Sequence, residues 1–176
     1  MAMRMLAGEF YSVLMKRLRT REGRVYFLHA SVDTDPSNSE LSTASLVTEV
    51  QDDNLAPVLR AYHAEISKMA AGDVDPNLLQ NVRNELIVNR AREKDSTLPS
   101  KYAHQYGRSL LHSGRVVTTR ETYEQADAVD EADVARVCAT MLRTPLVCYG
   151  GRVAQPDVDA TLKECYGAGP VTLPAA

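Results

Sequence analysis

Apolar positions at helical spacing open the chain. Phe10, Val13, Leu14 and Leu18 fall at i, i+3, i+4 and i+8, which predicts one helical stripe ending before Gly23. The run "RVYFLHASVDTD" then changes period. Tyr26, Leu28, Ala30 and Val32 alternate with Val25, Phe27 and His29, so this strand carries apolar groups on both faces. "DPSNS", Asp35 to Ser39, is turn chemistry, and "ELSTASLVTEV" reads as a second strand with one wet face. Together they predict an antiparallel hairpin.

Helices follow. Asp52, Asp53 or Asn54 is placed to cap a helix whose Leu55, Val58, Leu59, Tyr62, Ile66 and Met69 form a 3.6-period stripe. Pro57 sits in its first turn, where the missing N–H costs little, and Gly72 ends it. Asp75 as N-cap and Pro76 at the first helical position restart the chain with Leu79, Val82 and Leu86 on one side. After a break at "STLP", a third helix runs through Tyr102, Tyr106, Leu110 and Leu111 to Gly114. A short helix begins after Thr118 or Thr119, and "DEADVARVCATML" turns Val134, Val137, Cys138, Met141 and Leu142 inward. "PLVCYGGR" reads as a short buried strand and "QPDVDATLKECYG" as a last helix.

This order predicts an α+β fold with helices packed on one face of an antiparallel sheet. Residues 1–167 read as one domain and 168–176 as a tail, disordered or draped over a partner. Three strands make a small sheet, and its first strand is apolar on both faces. Soluble proteins avoid a bare edge and a bare apolar surface of that kind, so the sheet is expected to be completed by another chain.

Composition narrows the classes. With 176 residues, 44% hydrophobic and 24% charged, the chain is an ordinary globular domain in size and make-up. No run approaches the ~18 apolar residues of a membrane span, so no direct span is expected. A net charge of −3 argues against a dedicated nucleic-acid binder. Cys138, Cys148 and Cys165 are odd in number and lack Cys-x-x-Cys spacing, which reads as free thiols. Arg4, Lys16, Arg17, Arg19 and Arg21 against the single acid Glu9 have the look of an amphipathic presequence. Because this segment runs without a linker into a strand, it is read as a structural helix.

The chemistry-bearing residues form no self-contained active site. His29, His63, His104 and His112 lie in neither H-E-x-x-H nor H-x-x-E-H, the spacings that set two imidazoles and a carboxylate on one helix face. In "YHAEI", His63 and Glu65 are two apart and on different helix sides, so His63 reads as solvated or capping. His104 and His112 stand eight apart without an acidic partner. "YGG" at 149–151 lacks the glycine spacing and lysine of a phosphate loop. Cys138 lies on an apolar stripe, which favours packing over nucleophilic chemistry. No catalytic residue, metal ligand or cofactor is assigned.

A family resemblance does emerge. "LMKRLRTREGRVYFLHASVD" resembles the helix–glycine–strand segment of the pitrilysin/insulinase family. "EKDSTLPSKYAHQYGRSLLHSGRVVTTRETYEQADAVDEADVARVCATML" is similar to a later block of that family: the serine–threonine break, Gly107 with Arg108, and Gly114 recur in register. "PLVCYGGRVAQPDVDATLKECYG" resembles its closing strand and final helix. The likeness runs from residue 4 to about 167, loose in each motif and more specific in order and spacing. It is to the carboxyl-terminal half of the mitochondrial processing peptidase subunits and of their relatives, the core proteins of ubiquinol–cytochrome c reductase (respiratory complex III).

The resemblance implies a half-subunit related by pseudo-symmetry to an amino-terminal half, with any zinc motif in a half that this sequence does not contain. The expected function is therefore a non-catalytic core subunit of complex III on the matrix side of the mitochondrial inner membrane. Its expected partners are an amino-terminal half on a separate chain, a second core or processing peptidase subunit, and other complex III subunits. The alternative is the substrate-binding, non-zinc half of a two-chain processing peptidase. Active family members carry an arginine and a tyrosine, seven residues apart in this segment, that contact substrate backbone. Arg19 and Tyr26 have that spacing. The plain reading of the same pair puts Arg19 in solvent and packs Tyr26 in the sheet.

Overall fold

The computed structural model describes residues 1–33, 42–96, 98–143, 145–150, 155–167 and 171–174. It is α+β, with helices packed against a small antiparallel sheet. The chain opens with a six-residue helix, α1 (Ala2–Ala7), whose Ala2, Met3, Met5, Leu6 and Ala7 are all buried. A Cβ on Gly8 would stand 2.7 Å from the Arg4 carbonyl oxygen, so glycine is what lets the chain turn off the end of α1. A second helix of π type follows at Met15–Arg21 and buries Met15 and Leu18. Its wide turn aligns residues five apart, and Arg17 Nε donates to Glu22 at 3.0 Å across that spacing. Gly23 takes a left-handed backbone at φ 61°, and the Arg24 N–H returns to the Leu18 carbonyl at 2.8 Å.

This corrects the first predicted element. Leu14 and Leu18 are fully buried as the stripe requires, but Phe10 lies before the helix in the turn after Gly8 and is 65% exposed. A 3.6-residue period counted along the sequence takes no account of the break.

Strands β1 (Val25–Asp33) and β2 (Thr43–Val50) pair antiparallel as expected, while the turn residues Asp35–Ser39 lie outside the described residues. Val25 stands opposite Val50 but Leu28 opposite Thr48, so Tyr26 and Phe27 share the single partner Glu49. This bulge adds one residue to β1 and shifts its alternation. Val25, Leu28 and Ala30 turn to the core, where Leu46 and Val50 meet them, and Tyr26, Phe27 and His29 turn out. The Thr48 hydroxyl donates to the Phe27 carbonyl and holds the bulge.

Beyond a short turn at Asp52–Asn54, helix α2 (Leu55–Ala70) buries Val58, Tyr62, Ile66 and Met69 on its predicted stripe. Asn54 makes no side-chain cap; its Oδ1 accepts from Arg24 at 2.9 Å. Helix α3 (Pro76–Ser96) is capped as read, with Asp75 Oδ1 accepting from the Asn77 N–H at 2.9 Å and Leu79 and Val82 fully buried. Glu85 of α3 accepts from both Arg4 and the Tyr11 hydroxyl, which ties α1 and the following turn to α3. Helix α4 (Pro99–Ser113) ends at Gly114 in the left-handed conformation. Thr118 and Glu121 form a capping box at the start of α5 (Thr119–Asp127). Helix α6 (Glu131–Arg143) packs Val134 and Cys138 toward α2 and α1, whereas Val137, read as inward, is exposed.

The third strand does not join the hairpin. β3 (Leu146–Tyr149) pairs in parallel with β4 (Val171–Pro174), within the segment read as a tail, and α7 (Gln155–Tyr166) forms the crossover. β3 is not buried throughout: Leu146 and Cys148 are exposed, and Val147 and Tyr149 turn toward a small cluster of Leu59, Val158 and Leu162. A bidentate ion pair from Arg60 to Glu164 and an edge-on contact of His63 with Tyr166, at 4.8 Å between ring centroids, fasten α7 to α2.

Candidate docking surface

Arg17 and Arg19 leave the π-helix for different environments. Arg17 reaches α2, where its Nη1 donates to Glu65 at 2.6 Å, and Lys68 donates to the same carboxylate at 3.0 Å. Glu22 receives Arg17 at 3.0 Å and Arg24 at 2.7 Å, and Arg24 continues to Asn54. This ladder of charges ties the π-helix, the turn at Gly23 and α2 together. Arg17, and after it Arg24, hold the Glu22 carboxyl below its usual range. Leu18, next to Arg19 in the π-helix, is fully buried, while Arg19 turns to aromatic neighbours.

Its guanidinium lies between two rings, 5.0 Å from the centroid of Phe10 and 5.3 Å from that of Tyr26. Tyr26 is 84% exposed, so the reading that packs it in the sheet is corrected; the bulge turns it outward. The structure thus brings Arg19 and Tyr26 together, and adds Phe10 as a second wall. Phe27 and His29 stack on the same outward face at 6.4 Å, with Val47 exposed on the neighbouring strand. An open cleft of about 380 Å³ adjoins Tyr26 at the base of the hairpin, walled by Gly23, Glu49, Gln51 and Asn54.

Two aromatic faces hold a guanidinium by electrostatic attraction, about 0.5–1 kcal/mol each at an exposed site. The arrangement suits recognition of an oxygen-bearing ligand. Phe10 was hidden in the sequence by its place on a helical stripe; the signal that separates it is Gly8.

The other sequence-level candidates do not converge. Among the described residues no three His, Cys, Asp or Glu side chains gather as a metal site requires. His29 is on the hairpin face, His63 against Tyr166, and His104 on the exposed side of α4; the side chain of His112 lies outside the described ones. The three cysteines are free thiols, and burial pushes the Cys138 thiol up to about 11. No helix among the described residues is long and apolar enough to cross a membrane.

A second exposed surface belongs to α4. In it Leu110 is exposed, Leu111 is 86% exposed, and Tyr102 and Tyr106 are only partly covered. Leu98 precedes them, also bare.

No family model matches the chain, and no curated protein does. A solved structure described as a conserved protein from Enterococcus faecalis V583 is similar, with a TM-score of 0.67 at 17% identity over 78% of this chain. The chain spans 31% of that protein's length. At this identity the likeness supports the α+β fold and nothing finer.

Proposed function

We propose that this protein is a non-catalytic core subunit of mitochondrial respiratory complex III, held on the matrix side of the inner membrane by large interfaces with other subunits. The observation that carries the reading is α4: an amphipathic helix whose Leu110 and Leu111, with Leu98 just before its first turn, stay bare in its own chain. Apolar surface of that kind is what obligate interfaces are built from. The likeness of the helix–glycine–strand segment and of the "DSTLP" block to the core proteins supplies the host complex. A second core or processing peptidase subunit and an amino-terminal half on another chain are the partners proposed for α4 and for the edges of the hairpin.

A second reading is favoured by one contact. Half-buried Arg19 lies against exposed Tyr26, the pair that the substrate-binding, non-zinc half of a two-chain processing peptidase would use. Purification of the native assembly, with mass spectrometry of the accompanying chains and a haem absorbance trace, separates the two. Comigration with b- and c-type haems and a second core chain is the expected result. A small haem-free, zinc-containing heteromer would replace the core-subunit reading with the peptidase one.

A further inference from the structure

Two bare apolar surfaces of this chain complement each other, one on a helix and one on a sheet. On α4, Ala103, Gly107, Leu110 and Leu111 fall at i, i+4, i+7 and i+8, one side of the helix, and all four are exposed. Ala103 and Gly107 lie between the two leucines and are too small to fill the space there; a Cβ on Gly107 would meet nothing within 4 Å. Arg108, one turn before Leu111, and Lys101, two turns before Arg108, border this side, and α4 carries no acid. The outward face of the hairpin presents Tyr26, Phe27 and His29 on β1 and Val47 opposite His29 on β2, while Val25, Leu28 and Ala30 meet the core on the other face. Glu49 at one end of this outward face and Asp33 at the other are exposed. Among the described residues none of Lys101, Arg108, Asp33 and Glu49 makes an ion pair within the chain.

We propose that the chain pairs with a second copy of itself, α4 of each copy lying across the outward hairpin face of the other. This rests on the reading of α4 as an interface and names its counterpart. An apolar sheet face is covered by a helix in folds of this class, and a two-fold pair makes that contact twice. Charge selects the arrangement. Packing α4 on α4 would bring Lys101 and Arg108 of both copies together, and packing hairpin on hairpin would gather Asp33 and Glu49 of both. Packing α4 on the hairpin sets cations against carboxylates and covers the leucines and the aromatic rings at once. Arg19, the hairpin's own neighbouring cation, is occupied by the rings of Phe10 and Tyr26.

The test is sedimentation equilibrium of the full chain across the micromolar range. The mass should rise with concentration from that of one chain to that of two, and added salt should loosen the dimer. Leu111→Asp, at a position 86% exposed, and Val47→Lys, at one 51% exposed, should each weaken association by about tenfold or more. Circular dichroism confirms that each variant folds. An equimolar mixture of the two variants should regain the dimer. One contact then joins an unaltered α4 to an unaltered hairpin, and the other brings the two introduced charges, of opposite sign, together. Leu146→Asp, at an exposed position on β3, should change nothing. A chain that stays monomeric, a dimer lost with Leu111→Asp but kept with Val47→Lys, a mixture that stays dissociated, or an equal loss with Leu146→Asp would overturn the proposal. Haem and chain content of the native assembly are measured separately, so a failure here is distinguishable from a failure of the core-subunit reading.

Discussion

Replacing Leu18 and Phe10 by alanine, one at a time, distinguishes the observed N-terminal geometry from a straight helix. On a single stripe over residues 10–18 the two side chains would be equivalent anchors. In the structure Leu18 is fully buried at the junction of the π-helix with the core, and Phe10 is mostly exposed, touching Arg19. Truncating a buried leucine removes its transfer free energy and leaves a cavity, about 2–5 kcal/mol in all. For a chain of this size each 1 kcal/mol moves Tm by about 2–4 °C, so Leu18→Ala should lower Tm by roughly 7–14 °C at a mid-range cost. Phe10→Ala forfeits one face of an exposed cation–π contact and little burial, about 1 kcal/mol or less. Urea unfolding followed by circular dichroism gives both numbers with a common slope. Comparable losses for the two variants, or a Leu18→Ala cost under about 1 kcal/mol, would refute the turn at Gly8 and the burial of Leu18 beneath Arg19.

Other regions give separate tests. The Cys138 thiol, raised by burial from 9.0 to about 11, should resist a thiol reagent at pH 8 that modifies exposed Cys148 at once, and react only on unfolding. The folded state holds that proton more tightly than the unfolded chain. Its contribution to stability is therefore whole below pH 9 and is lost as pH rises toward 11, readable as a falling urea midpoint. Glu121 is held below its usual range by the Thr118 backbone N–H, then by the Thr118 hydroxyl and Arg115. The α5 cap should thus weaken as pH drops through the acid range, and Glu121→Gln, which removes the titrating carboxyl, should flatten that dependence in amide exchange at Thr122 and Tyr123. Leu162→Ala should cost about 2–5 kcal/mol locally, releasing amide protection in α7 and β3 while β1 and α2 stay protected. Loss of protection across the whole chain would show that the Leu59–Val158–Leu162 cluster is continuous with the main core rather than a satellite.

The sequence alone determined what a few neighbouring residues decide. Asp75 before Pro76 and Gly114 after α4 are local hydrogen-bonding and backbone choices that form as read, and of the two helix starts offered, Thr118 or Thr119, the structure takes Thr118 as the cap. The stripes of α2 and α3 follow from helical period, and the α+β class from the order of elements.

Tertiary structure decided the rest, because those features depend on residues far apart in the chain. The extra residue in β1 is defined only against Glu49 of β2, and that register sends Tyr26 and Phe27 outward together. β3 could take any partner of extended shape; α7, fastened to α2 through Arg60, Glu164, His63 and Tyr166, brings β4 to it. The stripe of α4 has the same apolar pattern as that of α2, yet only one has a core to pack on. Periodicity specifies which side of a helix is apolar, and the arrangement of the other elements determines whether that side meets protein or solvent.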